Sequence, residues 1–239
     1  MASVNRVYTA LKDLVNKDQR GFVTPSVFNS LAGVAQLNLY NQLFEQDRVM
    51  AKRIRNNQLD SALDKNRIKQ LDEDLARFVR TTTIPLTTGV GAFPSDFARV
   101  ITITDTSNRS IPVVNDIANW KNVLRSTLSA PSVNFPAAFL GTSINVSPTS
   151  VASVSLTYYK QPQALNVGDG SPIAVQPKWG YVLPLVANKE IYNPGNSYDF
   201  ELPEHYVFDL VVELAKLIGI NLRDQDVYAY AANQEKSEQ

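Results

Sequence analysis

A continuous apolar stripe at helical spacing lies between Leu202 and Leu222. Pro203 suits the first position of a helix, because the N–H that proline lacks would have no helical partner there. Apolar residues then recur at the i, i+3, i+4 spacing of one helix face, namely Val207, Leu210, Val211, Leu214, Leu217 and Ile218. Phe208, Val212 and Ala215 widen this face. We therefore expect a helix that is covered on more than one side, by helices of its own chain and by another subunit.

The first 82 residues show the same helical period three times. N-cap residues and a proline at a first helical position mark where these helices begin. The predicted helices run from Ser3 to Lys17, from Thr24-Pro25 to Asn56-Asn57, and from Asp60 to Arg80. The third would carry Val79 on its apolar side and Asp74, with its acidic neighbours, on a face exposed to solvent.

The composition changes at Thr81, beyond which the chain is rich in Thr, Ser, Val, Ile and Pro. Short runs of alternating apolar and polar residues, typical of half-buried strands, lie at 83–87, 98–104, 143–147 and 154–159. One helical pattern, from Asp116 to Leu128, interrupts these runs. This part of the chain is therefore predicted to form an antiparallel sheet or a small sandwich.

Residues 161–200 contain five of the thirteen prolines and show no helical period. A structureless run of about 40 residues is unusual inside a compact domain, so we expect an extended arm or a hairpin excursion. A last short helix is predicted from Asp226 to about Gln234. The predicted fold class is α+β, with a helical bundle built from both chain ends, 1–82 and 200–239. An antiparallel β domain is inserted at 83–199 and includes the proline-rich arm, 161–199.

The composition excludes several kinds of chemistry. The chain has no cysteine, which excludes disulfides, thiolate zinc sites and cysteine nucleophiles. Its single histidine excludes multi-histidine metal sites. No stretch reaches the roughly 20 apolar residues of a transmembrane helix, and the first residues lack the apolar core of a signal peptide. We therefore expect synthesis inside the cell and no association with a membrane.

His205 is the side chain that most suggests acid–base catalysis, since Glu204 adjoins it and Asp209 lies one helical turn further on. No nucleophile motif accompanies it, so the better interpretation is a surface histidine in a polar seam. The run Gly89-Val90-Gly91 lies between predicted strands and opens no helix, which indicates a turn rather than a phosphate loop. The sequence therefore predicts that the protein is not an enzyme and has no catalytic, cofactor-binding or metal-binding residues.

The net charge of zero is uneven along the chain. Residues 1–82 carry 13 basic and 9 acidic residues, whereas residues 199–239 carry 3 and 9. The sharpest basic cluster consists of Arg48, Lys52, Arg53 and Arg55. These residues are candidates for contact with DNA phosphates. They also suit the last turns of a helix, where cations complement the helix dipole, and both interpretations stay open.

Two stretches hold side chains that are candidates for an interface with another subunit or protein. Tyr181 and Leu183 lie in a short apolar run that could form a strand paired elsewhere. Val227, Tyr228 and Tyr230 lie in the last predicted helix, and tyrosine contributes disproportionately to interface energy. The alternative is that this last helix packs on helices of its own chain.

Three stretches, within an order of helices, β region, arm and returning helices, resemble head–tail connector proteins of short-tailed bacteriophages, the adaptor or tail-tubular group. They are GFVTPSVFNSLAGVAQLNLYNQLFEQ (21–46), FPSDFARVITI (93–103) and LPEHYVFDLVVELAKLIGINLRDQD (202–226). They are also similar to structural proteins of phages that infect Bacteroidetes, including the crAss-like group. The resemblance spans most of the chain, and its motifs are structural rather than catalytic.

The resemblance implies a homo-oligomeric ring, typically a dodecamer, docked under the portal protein at the head–tail junction of the virion. Such a ring contributes to the DNA exit channel, contacts packaged DNA non-specifically and offers a platform to further tail proteins. Its C-terminal segment commonly reaches the portal, and the protein would be made in the host cytoplasm. The alternative function is a tail-associated accessory module that recognises a protein or carbohydrate through its β domain.

Overall fold

The computed structural model of the 239-residue chain describes residues 1–17, 23–55, 62–127, 130–168, 170–183 and 190–221. At 51–55, 62–65 and 220–221 it describes the backbone alone. The described residues contain both helices and antiparallel sheets, which confirms the predicted α+β class at this level.

Five helices and twelve strands lie in the described part of the chain. The helices are α1 (Val4–Lys17), α2 (Pro25–Arg55), α3 (Ala62–Ala76), α4 (Ile117–Arg125) and α5 (Val207–Asn221). The strands are β1 (Val79–Pro85), β2 (Val90–Gly91), β3 (Phe97–Thr104), β4 (Val113–Val114), β5 (Ala137–Leu140), β6 (Ile144–Ser147), β7 (Ser153–Lys160), β8 (Ala164–Asn166), β9 (Pro172–Ile173), β10 (Tyr181–Val182), β11 (Ile191–Tyr192) and β12 (Tyr198–Asp199).

The chain divides into two compact units. The helical unit comprises the described parts of 1–74 and 162–239, and it contains α1, α2, α5, most of α3, and β8 to β12. The β unit comprises the described parts of 75–161, with β1 to β7 and α4. The described part of 162–199, a range that the sequence pattern groups with the β domain, therefore belongs to the helical unit.

The helices of the helical unit begin where an acceptor meets a free backbone N–H. The Thr24 hydroxyl accepts the N–H of Val27 (Oγ1 to N, 3.3 Å) at the predicted start of α2. At the start of α1, Asp199 Oδ1 accepts the N–H of Val4 (2.7 Å), so this cap comes from a residue 195 positions away. Pro203 precedes a 3₁₀ turn, and α5 itself begins at Val207 rather than at the proline.

Helix α5 forms the centre of the apolar core of the helical unit. It packs against α1 and α2, and Leu210, Leu214 and Ile218 are fully or almost fully buried. Glu213 faces α2, where its Oε1 accepts a hydrogen bond from the Asn38 side chain (2.7 Å). The other apolar side is less covered, since Phe208 is 48% exposed. The broad apolar surface predicted for this helix thus has a covered part and an open part.

The described part of residues 162–200 folds back on helices of its own chain. Strand β8 pairs with β9 and β12, and β10 pairs with β11. Trp179 is 5% exposed, and its backbone N–H donates to Asn29 Oδ1 of α2 (2.7 Å). Phe200 and Leu202 are fully buried. The extended arm is therefore wrong for these residues, because apolar anchors and short strand pairs order a segment that is rich in proline. The antiparallel pair β10–β11 agrees with the alternative of a hairpin excursion.

The β unit has two sheets around one core. Strands β1, β7 and β3 form an antiparallel sheet in that order, and the second sheet has the order β2-β6-β5-β4 with β4 and β5 parallel. Buried residues of both sheets, such as Ile103, Ile144 and Leu156, form a single apolar cluster. The strands predicted at 83–87, 98–104, 143–147 and 154–159 are confirmed within β1, β3, β6 and β7. The helix predicted at 116–128 is confirmed as α4.

The third predicted helix is too long at its C-terminal end. Helix α3 ends at Ala76, and Val79 opens β1, where it pairs with Tyr159 of β7. The sequence from Val79 to Thr83 is rich in β-branched residues, which favour a pleated surface. A full ladder between β1 and β7 outweighs the helical period that continues through Phe78.

Candidate functional site

The single histidine lies in a polar cluster at the start of the α5 region. His205 Nε2 lies 3.0 Å from Asp74 Oδ2, and the Tyr206 hydroxyl donates to the same oxygen (2.9 Å). Asp74 is only 4% exposed, so the prediction of a solvated carboxylate is wrong. Burial, followed by the hydrogen bond to Asp74, raises the pKa of Tyr206 above its ordinary value, which keeps this hydroxyl a donor.

This cluster is best explained as a structural link between α3 and the turn before α5. The His205 ring and the Tyr206 hydroxyl both hydrogen-bond to the Asp74 carboxylate. Without these two partners, Asp74 would be an unpaired buried charge. Within the ranges that the structure describes, no group of three or more His, Asp or Glu side chains could hold a metal ion. The cluster thus supports the interpretation of His205 as a structural residue.

An apolar groove lies between α1 and α5 on the helical unit. It has a volume of about 810 Å³, and we call it the α1/α5 groove. Its apolar lining consists of Ala10, Leu14, Val207, Phe208, Val211 and Val212. The charged lining residues Arg6 and Glu204 form an ion pair with each other (Nη1 to Oε1, 2.6 Å). The remaining lining residue, His205, is paired with Asp74. The groove therefore presents apolar side chains, one internally neutralised ion pair and a paired histidine.

A second exposed apolar surface follows α2, and we call it the α2 ridge: Val27, Ser30, Val34 and Leu37. The spacing of three and four residues places these four side chains on one helix face. Val27, Val34 and Leu37 are 40%, 45% and 44% exposed. Scattered exposed apolar residues are normal on a protein surface, but an aligned row of them is a candidate contact site.

The ridge is a feature that the sequence analysis missed. The apolar period of α2 follows its buried face, which includes Phe28, Ala35 and Leu39. The signal for the ridge was the absence of any charged residue between Gly21 and Phe44. A helix with one solvated face normally carries charges on that face.

The interface candidates Tyr181 and Leu183 lie at the β10–β11 hairpin of the helical unit. Tyr181 pairs with Tyr192 in the ladder and stacks on Trp179 with 6.0 Å between ring centroids. Tyr181 is 36% exposed and Leu183 is 60% exposed. Both side chains are accessible to a partner, and their role in an interface stays a prediction.

The remaining interface candidates, Val227, Tyr228 and Tyr230, lie outside the described residues. Among the candidates for DNA contact, Arg48 is exposed on α2, and its Nη1 lies 3.7 Å from Glu45 Oε1. Lys52, Arg53 and Arg55 occupy the last turns of α2, but their side chains are outside the described part. Both interpretations of this basic cluster therefore stay open.

In the described part of the chain, no helix is long and apolar enough to cross a membrane.

Comparisons with known proteins identify a family. No curated protein is significantly similar to the chain. The family model of the SU10 adaptor protein matches residues 49–238. The match supports the implied role as a structural head–tail adaptor of a phage virion, whereas the similarity to Bacteroidetes phages stays a prediction. Because the match covers most of its length, the chain belongs to the SU10 adaptor protein family.

Proposed function

We propose that this protein forms a homo-oligomeric ring, most simply a dodecamer, that docks under the portal protein at the head–tail junction. The observation that carries the proposal is the family match over residues 49–238, since an adaptor joins other head and tail proteins. The ring would contribute to the DNA exit channel and carry the next tail proteins. In this proposal the helices from both ends of the chain build the body of the ring.

The surface of the helical unit is consistent with assembly. The α1/α5 groove and the α2 ridge each present aligned apolar side chains to water, and such rows are candidate contact sites. Apolar surface of this kind gains free energy when a partner covers it. A ring gives every copy two neighbours, so both surfaces can be covered.

Binding to the portal tests the proposal. Assembled portal rings of the same phage, mixed with the purified protein and sedimented, should carry the protein into the pellet at a fixed molar ratio. A pellet that contains portal rings alone, with a folded adaptor left in the supernatant, would contradict docking. Tail-fibre protein or host carbohydrate in place of portal rings tests the alternative accessory function through the β unit.

The C-terminal segment is predicted to contact the portal. Deleting residues 224–239 should leave the melting temperature close to that of the full chain, because Leu210 and its buried neighbours are retained. Binding to portal rings should be lost, since Tyr228 and Tyr230 are removed. Thermal melts and portal sedimentation of both chains measure this. A large drop in melting temperature with intact portal binding by the folded fraction would assign the segment to the core instead.

The basic cluster at the end of α2 is predicted to face DNA in the channel. Replacing Arg48, Lys52, Arg53 and Arg55 by Gln removes up to four phosphate partners and should make genome retention weaker and less dependent on salt. Retention of DNA by virions across a salt series measures this effect. The matched control makes the same change in charge elsewhere, at Arg67, Lys69, Lys121 and Arg125. Equal retention by both variants would leave the cluster as a complement to the helix dipole.

A further inference from the structure

We propose that neighbouring subunits of the ring join head to tail, with the α2 ridge of one copy seated in the α1/α5 groove of the next. This inference rests on the proposed function, because it names the surfaces through which the ring would form. The occupant of the groove is thus a second copy of this chain, and the contact lies entirely between helical units.

The two surfaces have complementary shapes. The ridge is convex, because it consists of side chains that project from one helix face. From Val27 to Leu37 it extends about 15 Å, at 1.5 Å for each helical residue. The groove is concave, and its volume of about 810 Å³ exceeds what a single side chain fills. A ridge in a groove is also the ordinary way in which two helical surfaces pack.

The two surfaces also match in charge. Between Gly21 and Phe44 the α2 sequence has no charged residue, so the ridge would bring no charge into a buried contact. On the groove side, Arg6 and Glu204 neutralise each other in an ion pair of 2.6 Å. Burial of an unpaired charge is the main cost of covering such a surface, and neither side imposes it.

A single chain cannot make this contact with itself. The ridge lies roughly 160° around α2 from Phe28 and Leu39 of its buried face. On α5, Phe208 and Val212 of the groove lie roughly 120° from Glu213, the residue that faces α2. The groove thus opens on a side of α5 that does not face α2, so the ridge of the same chain cannot fill it.

Two different, mutually complementary surfaces on one chain are the requirement of a heterologous interface, which closes into a ring when the rotation per subunit permits. A twofold dimer would need one surface that is complementary to itself. The groove is not complementary to itself, since two grooves cannot fill each other. Two ridges packed together would leave both grooves open. The pairing of ridge with groove is the arrangement that covers both surfaces.

Single substitutions test each side of the contact. Val34→Glu places a carboxylate on the ridge, and Val212→Lys places an ammonium in the groove. Each should raise the subunit concentration at half-assembly by about 100-fold or more, because each buries an unpaired charge. Native mass spectrometry of the purified protein, alone and with portal rings, measures assembly. The thermal melt of Val34→Glu should stay close to that of wild type, since Val34 is already 45% exposed.

A mixture of the two variants provides the decisive experiment. In a head-to-tail ring of alternating variants, the carboxylate introduced on the ridge of one copy would meet the ammonium introduced in the groove of the next, and every other contact would be native. The equimolar mixture of Val34→Glu and Val212→Lys chains should therefore assemble, although neither variant assembles alone. A mixture that stays monomeric while wild type forms rings would overturn the pairing of ridge with groove.

Controls separate this inference from the proposed function. Val90→Glu, at a β2 residue that is 44% exposed, should assemble as wild type does. If wild type forms no ring, alone or with portal, the proposed function fails. If wild type forms rings and Val34→Glu does too, only the inference fails. If Val212→Lys leaves rings intact and lowers the melting temperature only in chains that keep residues 222–239, the groove holds the chain's own C-terminal segment.

Discussion

Replacing Leu210 by Asp is expected to unfold the helical unit. Leu210 is fully buried on α5, which packs against both α1 and α2. The variant loses the burial of a leucine side chain, about 2–5 kcal/mol, and adds an unpaired buried carboxylate that costs several more. The sum is comparable to the roughly 5–15 kcal/mol by which a native domain is stable. Circular dichroism and a thermal melt of the purified variant measure the result.

Phe208→Asp is the matched control for this prediction. Phe208 lies on the same helix, two residues away, but is 48% exposed. Its replacement should lower the melting temperature far less, because the new carboxylate stays in water. A Leu210→Asp protein that melts as wild type does would show that the apolar stripe of α5 is not the core. Equal destabilisation by the two variants would contradict the division of α5 into a covered and an open side.

Replacing Trp179 by Ala is expected to destabilise the helical unit by about 3–5 kcal/mol, as is usual for a buried tryptophan. The indole packs against the Tyr8 ring with 4.3 Å between ring centroids, and its Nε1 donates to Asn5 Oδ1 (3.0 Å). The substitution therefore leaves a cavity against α1 as well as an unsatisfied polar group. Chemical denaturation of the free subunit measures the loss in the free energy of unfolding.

Leu183→Ala is the control, because this side chain is 60% exposed near the same hairpin and should contribute little to the stability of the monomer. A second readout is amide hydrogen exchange around residues 177–182. The docking of Trp179 predicts slow exchange there in the wild-type monomer and faster exchange in Trp179→Ala. Fast exchange in both proteins would mean that this segment is not held on the helices of its own subunit.

The elements with long, regular periods could be predicted from the sequence. Helices α1, α2 and α5 and the longer strands of the β unit follow their apolar spacing closely. The end of α3 could not be predicted in this way, because the helical period continues through Phe78 while Val79 pairs with Tyr159, a residue 80 positions away. The local sequence pattern carries no information about a strand pairing between residues so far apart in the chain. Such a pairing is decided by tertiary structure.

The segment at 162–200 shows a second limit of prediction from the local sequence pattern. Its prolines and glycines predict the absence of a long helix, which is correct for the residues of this segment that the structure describes. What they cannot indicate is docking, which depends on single anchors such as Trp179 and Phe200 and on partners supplied by α2, such as Asn29. The Asp199 cap of α1 is a further example, since the two residues that it joins are adjacent only in the folded chain.

The proposed assembly surfaces could be predicted from the sequence only in part. The excess of apolar surface on α5 is visible in the sequence, because Phe208 and Val212 fall outside the main stripe. The α2 ridge and the α1/α5 groove needed the structure, because exposure depends on which faces the neighbouring helices cover. Asp74 illustrates the same point for a polar residue, since its burial follows from contacts with His205 and Tyr206.

The mass of the complex between this protein and the assembled portal tests the central claim most directly. Each chain has a mass of 26.5 kDa, so a dodecameric adaptor ring would add twelve times that mass, about 318 kDa, to the portal ring. We expect native mass spectrometry to record this single increment, with no species that carry one or a few adaptor chains at saturating protein. A folded 26.5 kDa monomer that adds no mass to intact portal rings would contradict the assignment as a head–tail adaptor ring.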